Sequence, residues 1–210
     1  MSKPKASPLL FFLGVVVLIV IATLFGPEEK SLGTNVRVVY LHGAWVLAAE
    51  IAFMLAGVAG FLALLRRRPL LDSWSAALGR TGTVFWVTYL PLSLWAMQTN
   101  WNGLFLAEPR FRLALTFAVV AVLMQVGLWL VSNPAITSAA NALFIMVLRY
   151  VFSQASNIMH PPPSPIFNSG IWSVIIFFLL LNALALLAAY FLTGWFLTLD
   201  RSGEKVPAKA

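Results

Sequence analysis

Two residues of this chain are best suited to chemistry, and they are its only histidines. His42 stands in Arg37-Val38-Val39-Tyr40-Leu41-His42-Gly43-Ala44-Trp45, and His160 in Ile158-Met159-His160-Pro161-Pro162-Pro163. A neutral imidazole ligates transition metals and haem iron through one ring nitrogen and tolerates a half-apolar setting. Two of them on one face could bind iron from opposite sides of a porphyrin. Taken alone, a pair of interfacial histidines is ordinary in a membrane protein. Glu50 and Arg149 form the second candidate. Each falls inside an apolar run, about 12–16 Å along a helix from His42 and His160 respectively. An isolated Arg in lipid costs roughly 2.5–3.5 kcal/mol, and such residues usually face a partner inside the bundle. The two are therefore expected to form a buried ion pair or share a polar network, either as a packing lock or in proton or ligand movement.

The elements that must position these residues follow from composition. Of 210 residues 60% are hydrophobic and 10% charged, with a mean hydropathy of +0.89, too little polar surface to coat a water-soluble globule. Apolar runs near the roughly 20 residues needed to cross a bilayer recur along the sequence. Six spans are read at about 8–26, 44–65, 79–97, 113–132, 139–157 and 171–198, forming one transmembrane domain over 1–210 with a polar, mobile tail after Arg201. The spans are expected to be helices, because a membrane segment must satisfy its own backbone hydrogen bonds and these runs are too uniformly apolar for barrel strands. An all-α bundle follows. Pro91 would remove one ladder hydrogen bond from the third span and kink it. Ala56, Gly57, Ala59 and Gly60 would let the second span approach a neighbour closely.

Six spans put both termini on one side. With that side in the cytoplasm, Lys3, Lys5, Arg66, Arg67, Arg68, Arg80, Arg201, Lys205 and Lys209 lie inside, and Lys30, Arg37, Arg110 and Arg112 outside. The positive-inside rule favours this orientation over its inverse. The net charge of +7 is thus explained by topology better than by nucleic acid. The first span, Leu9 to Phe25, follows Lys3 and Lys5 and lacks a clear small-x-small cleavage site, so it reads as a retained anchor rather than a signal peptide. The absence of cysteine excludes disulfides and thiolate ligands. No phosphate loop, nucleotide motif, Ser-His-Asp arrangement or carboxylate cluster is present, which argues against hydrolysis and phosphoryl transfer.

Both histidines then fall at the external surface, flanking the loop between spans three and four. That loop, Trp95 to Arg112, mixes the aromatics Trp95, Trp101 and Phe105 with Glu108, Arg110 and Arg112. An aromatic belt with basic headgroup anchors would look like this. So would an apolar shelf for a flat ligand, with guanidinium groups pairing to its carboxylates.

From about Asn35 to Trp172 the sequence resembles the six-span CcmC type of cytochrome c maturation protein, within the group that carries a tryptophan-rich external loop called the WWD domain. The family's Arg-Ile-(Ile/Phe)-Tyr-(Ile/Val)-His block is similar to Arg37 to His42, followed by Trp45. Its turn into the loop resembles Leu92-Ser93-Leu94-Trp95, its loop closure Ala107-Glu108-Pro109-Arg110, and its segment after the fifth span Met159-His160-Pro161. The resemblance implies haem b, with His42 and His160 as axial ligands of the iron. It further implies Arg37 and Arg110 at the propionates, aromatics such as Trp45, Trp95, Trp101 and Phe105 sheltering the macrocycle beside Glu108, and a haem chaperone and ATP-binding cassette exporter subunits as partners. The chain departs from the family in its loop, where Trp101-Asn102-Gly103-Leu104-Phe105-Leu106-Ala107-Glu108 keeps one tryptophan of four. It also lacks the proline two positions after the first histidine.

The expected function is that of a haem carrier in the cell's inner membrane, a docking platform rather than an enzyme. A rival expectation is an accessory subunit of a larger membrane complex that retains the fold without haem. A third is a small-solute permease whose path is the Glu50 and Arg149 pair.

Overall fold

The computed structural model describes residues 7–156 and 166–203, with side chains as far as residue 200. Six α-helices follow in order: α1 (Pro8–Leu24), α2 (Val36–Arg66), α3 (Pro69–Trp101), α4 (Pro109–Val131), α5 (Pro134–Ser153) and α6 (Trp172–Gly203), with one 3-10 turn (Phe167–Ser169) before α6. Four of them begin with proline at the first helical turn, Pro8, Pro69, Pro109 and Pro134, where the missing N–H would have had no partner and the fixed φ suits the helix. Ser7, Glu108 and Asn133 cap three of these starts through their side-chain oxygens. Arg67, Asn102 and Ser132 end α2, α3 and α4 in the left-handed conformation, with φ near +50° at each.

The helices α2, α4, α5 and α6 are long and apolar enough to cross a membrane. At 17 residues α1 is apolar but shorter. At 33 residues α3 is the longest, but Asp72, Ser73, Ser75 and Arg80 dilute its first half. The 79–97 expectation captured only its apolar part. Pro91 lies inside α3, which stays helical on both sides of it. The expected tail boundary at Arg201 falls inside α6, and residues 204–210 lie outside the described residues. Large apolar side chains remain on the surface, Trp129 at 76% and Phe25 at 83% exposure among them. A bilayer tolerates such a surface and water does not.

α2 and α3 run antiparallel at the centre. α5 packs on both, α6 on both, α1 chiefly on α6, and α4 on α3 and α5. One end carries the 25–35 and 102–108 loops, joined where Asn35 Nδ2 donates to the Thr99 carbonyl (3.0 Å) and Asn100 Nδ2 to the Asn35 carbonyl (3.3 Å). The other end carries the Arg66–Arg68 turn and the turn at Ser132 and Asn133.

Near that second end a polar lock ties four helices. Asn141 Nδ2 donates to the Ser75 carbonyl (2.9 Å) and Oγ (3.1 Å), Ser75 Oγ to the Ala56 carbonyl (2.9 Å), and Gln125 Nε2 to Asn141 Oδ1 (3.3 Å). Ser138 Oγ donates to Asp72 Oδ1 at 2.6 Å. Glycines make this approach possible: a Cβ on Gly57 would meet Ile145, one on Gly60 the Ser138 carbonyl, and one on Gly79 the Asn141 carboxamide. Of the small residues singled out in α2, Gly57 and Gly60 thus face α5, whereas Ala56 meets Ser75 of α3 and Ala59 lies on the side of α3 and α6.

Candidate functional site

Below the 102–108 loop, α2, α3, α4 and α5 bring aromatic and charged residues together. His42 lies in the second turn of α2, half-buried, with its ring centroid 5.5 Å from that of Tyr89 on α3. Tyr89 meets Trp86 edge to face at 5.2 Å, and Trp86 meets Phe152 of α5 at 5.7 Å and Phe53 of α2 at 6.0 Å. Phe117 of α4 closes the column against Phe144 and Phe152. Trp86 is fully buried and donates Nε1–H to the Ala114 carbonyl at 3.0 Å. A buried indole requires such a partner, so this bond fixes the column's orientation.

Beside the column lies a charged group. Arg149 Nη1 stands 3.2 Å from Glu50 Oε2, joining α5 to α2. The Glu50 carboxylate also feels the charge of Arg110, at the start of α4. Tyr89 lies in the fields of Glu50 and Glu108. The pair expected to be buried is only half so: the Glu50 side chain is 25% exposed and that of Arg149 58%. Arg149 reaches the pair from the outer face of α5. Imidazole and phenol thus meet between α2 and α3, and carboxylate and guanidinium between α2 and α5, groups able to hold a hydrogen-bonding ligand.

The remaining candidates are placed less together than the sequence suggests. Arg37 is engaged by its own loop, with Nε donating to the Gly26 carbonyl (2.9 Å) and Nη2 bridging to Glu28 Oε1 (3.2 Å). Trp45 is in the core, stacked on Phe85 at 4.5 Å, with Nε1 donating to Thr88 Oγ1 at 2.8 Å. A residue so packed cannot shelter a ligand at the surface, because α2 begins at Val36 and turns Trp45 onto α3. Glu108 caps α4, its Oε2 accepting the Phe111 N–H at 2.6 Å. Trp95 is 55% exposed, whereas Trp101 and Phe105 do meet, edge to face at 6.3 Å. His160 lies outside the described residues.

In the 25–35 loop, Glu29 accepts hydrogen bonds from the Ser31 hydroxyl and from the N–H groups of Ser31 (2.9 Å) and Leu32 (3.2 Å). The Ser31 hydroxyl above all, helped by the backbone N–H groups, holds its carboxyl below the usual carboxylate range against the opposing effect of desolvation. Gly33, at φ +56°, lets the chain fold back so that its N–H reaches the Glu29 carbonyl at 2.7 Å.

Sequence reasoning missed the lock around Asn141 and the Arg80 to Asp200 bridge of 2.7 Å between α3 and α6. A signal for the lock was present: Asp72 with Ser75, and Ser138 with Asn141, are polar pairs three residues apart, which places each pair on one helix face. Among the described residues no three of His, Cys, Asp and Glu gather to hold a metal ion. Comparison with family models, with curated proteins and with solved structures found no match to this chain.

Proposed function

We propose that this chain is a haem-handling protein of the inner membrane, with six spans and both termini in the cytoplasm. It holds haem b at its external surface and presents it to a partner. The observation that carries this reading is the setting of His42: an imidazole in the outermost turns of α2, half-buried and backed by the Tyr89 ring, beneath the loop where Trp101 and Phe105 pair. Bound haem would supply the iron that His42 and His160 ligate. Arg110, on the first turn of α4, is the cation that this reading assigns to a propionate. Arg37 does not fit that role while it holds Glu28, nor does Trp45 fit that of a shelter while it packs on Phe85 and donates to Thr88. A shallow site at the membrane surface suits a carrier, which must release its cargo.

The same two residues favour a second reading, an accessory subunit of a larger membrane complex that keeps the bundle without haem. Its other support is Arg149, a cation at the lipid-facing surface whose cost a neighbouring subunit would relieve. An absorption spectrum separates the two. A Soret band in the purified protein that is lost in both His42→Ala and His160→Ala supports the carrier. A colourless protein purifying with fixed partners supports the subunit.

A further inference from the structure

Far from His42, an apolar groove of about 480 Å³ runs between α2, α3 and α6. Its walls include Ala52, Ala59 and Leu62 of α2, Leu71 and Trp74 of α3, and Tyr190 of α6. From Ala48 to Leu62 on α2 it extends about 21 Å, at 1.5 Å per residue. One leaflet contributes about 15 Å of hydrocarbon, so a single extended acyl chain can lie along it. A helix of about 10 Å diameter over that length occupies roughly 1,650 Å³ and does not seat within it.

The groove points to a headgroup as well as a tail. Helical spacing continues one wall into the α2–α3 turn: Arg66 lies four residues beyond Leu62, on the stripe of α2 that lines the groove, and Arg68, in extended backbone, precedes α3 directly. Arg67, left-handed at φ 48°, reverses the chain between them. All three arginines are exposed, and no described carboxylate pairs with any of them. Asp72, the acidic residue nearest in the chain, is bonded to Ser138. Exposed guanidiniums near an apolar slot match a phosphodiester joined to an acyl chain, and basic pockets between membrane helices take such headgroups. Trp74 on the wall suits the interfacial level between tail and phosphate.

We propose that this groove binds one anionic phospholipid, its acyl chain between α2, α3 and α6 and its phosphate on Arg66, Arg67 and Arg68. The proposal is independent of haem. The test is native mass spectrometry of the full-length protein titrated with dioleoylphosphatidylglycerol or dioleoylphosphatidylcholine. One phosphatidylglycerol is expected to bind saturably. The exposed triple variant Arg66→Gln/Arg67→Gln/Arg68→Gln should weaken it about a hundredfold, roughly fivefold for each arginine. Ala59→Phe, which fills the groove and leaves the arginines in place, should weaken both lipids. Equal binding of the two lipids by the wild type would overturn the headgroup assignment, and undiminished binding by Ala59→Phe the tail assignment. Full displacement by inorganic phosphate, or a lipid-free dimer with the groove closed against a second copy, would also overturn it. Circular dichroism of each variant confirms that the fold is retained.

Discussion

Replacing Gly79 by alanine tests the lock between α3 and α5 most directly. The new Cβ would stand 2.7 Å from Asn141 Oδ1, 2.9 Å from Nδ2 and 3.0 Å from the carboxamide carbon. A free side chain would swing away. This one is held by Ser75 on one side and Gln125 on the other, so relief means breaking those bonds or parting the helices. Overpacking of this kind costs about 1–3 kcal/mol. Asn141→Ala removes the same carboxamide. It forfeits its interhelical hydrogen bonds, each worth about 0.6–1.7 kcal/mol in a membrane, and leaves a space where the carboxamide stood. In Gly79→Ala/Asn141→Ala the added methyl points into that space. The double variant should therefore lose at least about 1 kcal/mol less than the sum of the single losses, the coupling expected of residues in contact. Unfolding in mixed micelles with increasing SDS, followed by far-UV circular dichroism, gives the three values. Additivity within about 0.5 kcal/mol would refute the steric account.

Arg149→Leu should lower stability by about 1 kcal/mol, because it strands the half-buried Glu50 carboxylate while relieving the cost of a cation at an apolar surface. Adding Glu50→Gln should restore part of the loss by removing the stranded carboxylate; no change in the single variant would count against the pair. Thr81→Val deletes a buried hydroxyl 2.9 Å from Thr193 and should cost about 0.6–1.7 kcal/mol in the same assay, while an unaltered midpoint would mean the two hydroxyls contribute nothing jointly. Because the folded Glu29 carboxyl titrates below its ordinary value, its turn is fully stabilised above the unfolded value and loses that contribution as pH falls through the folded one. In Ser31→Ala a carboxyl carbon NMR titration should move Glu29 back towards the ordinary range; an unmoved titration would discount the hydroxyl.

α2, α4, α5 and α6 were legible because each contains a run so uniformly apolar that hydropathy alone finds it, whereas α1 is short and α3 is apolar only in part. Their ends were not. The sequence placed the second span from residue 44 and the third from 79, whereas α2 starts at Val36 and α3 at Pro69, since helix outside an apolar window leaves no trace in hydropathy. Caps and prolines at Pro69, Pro109 and Pro134 carried that information better. Glu50 and Arg149 could be matched from helical rise, because rise fixes depth. Rotation about the axis is set by packing, and so the exposure of Arg149 and the inward turn of Trp45 escaped. The lock at Asn141 escaped for a further reason: its members come from four helices, and only the spacing within Asp72/Ser75 and Ser138/Asn141 is visible along the chain.

α1 rests mainly on α6, with only a slight contact on α2, although about 150 residues, from Leu24 to Trp172, separate the two along the chain. During synthesis α1 therefore has little protein to settle on until α6 has been made. A ribosome that stops after α5 would leave α1 and the α6-facing sides of α2 and α3 bare. The arrival of α6 covers all three at once.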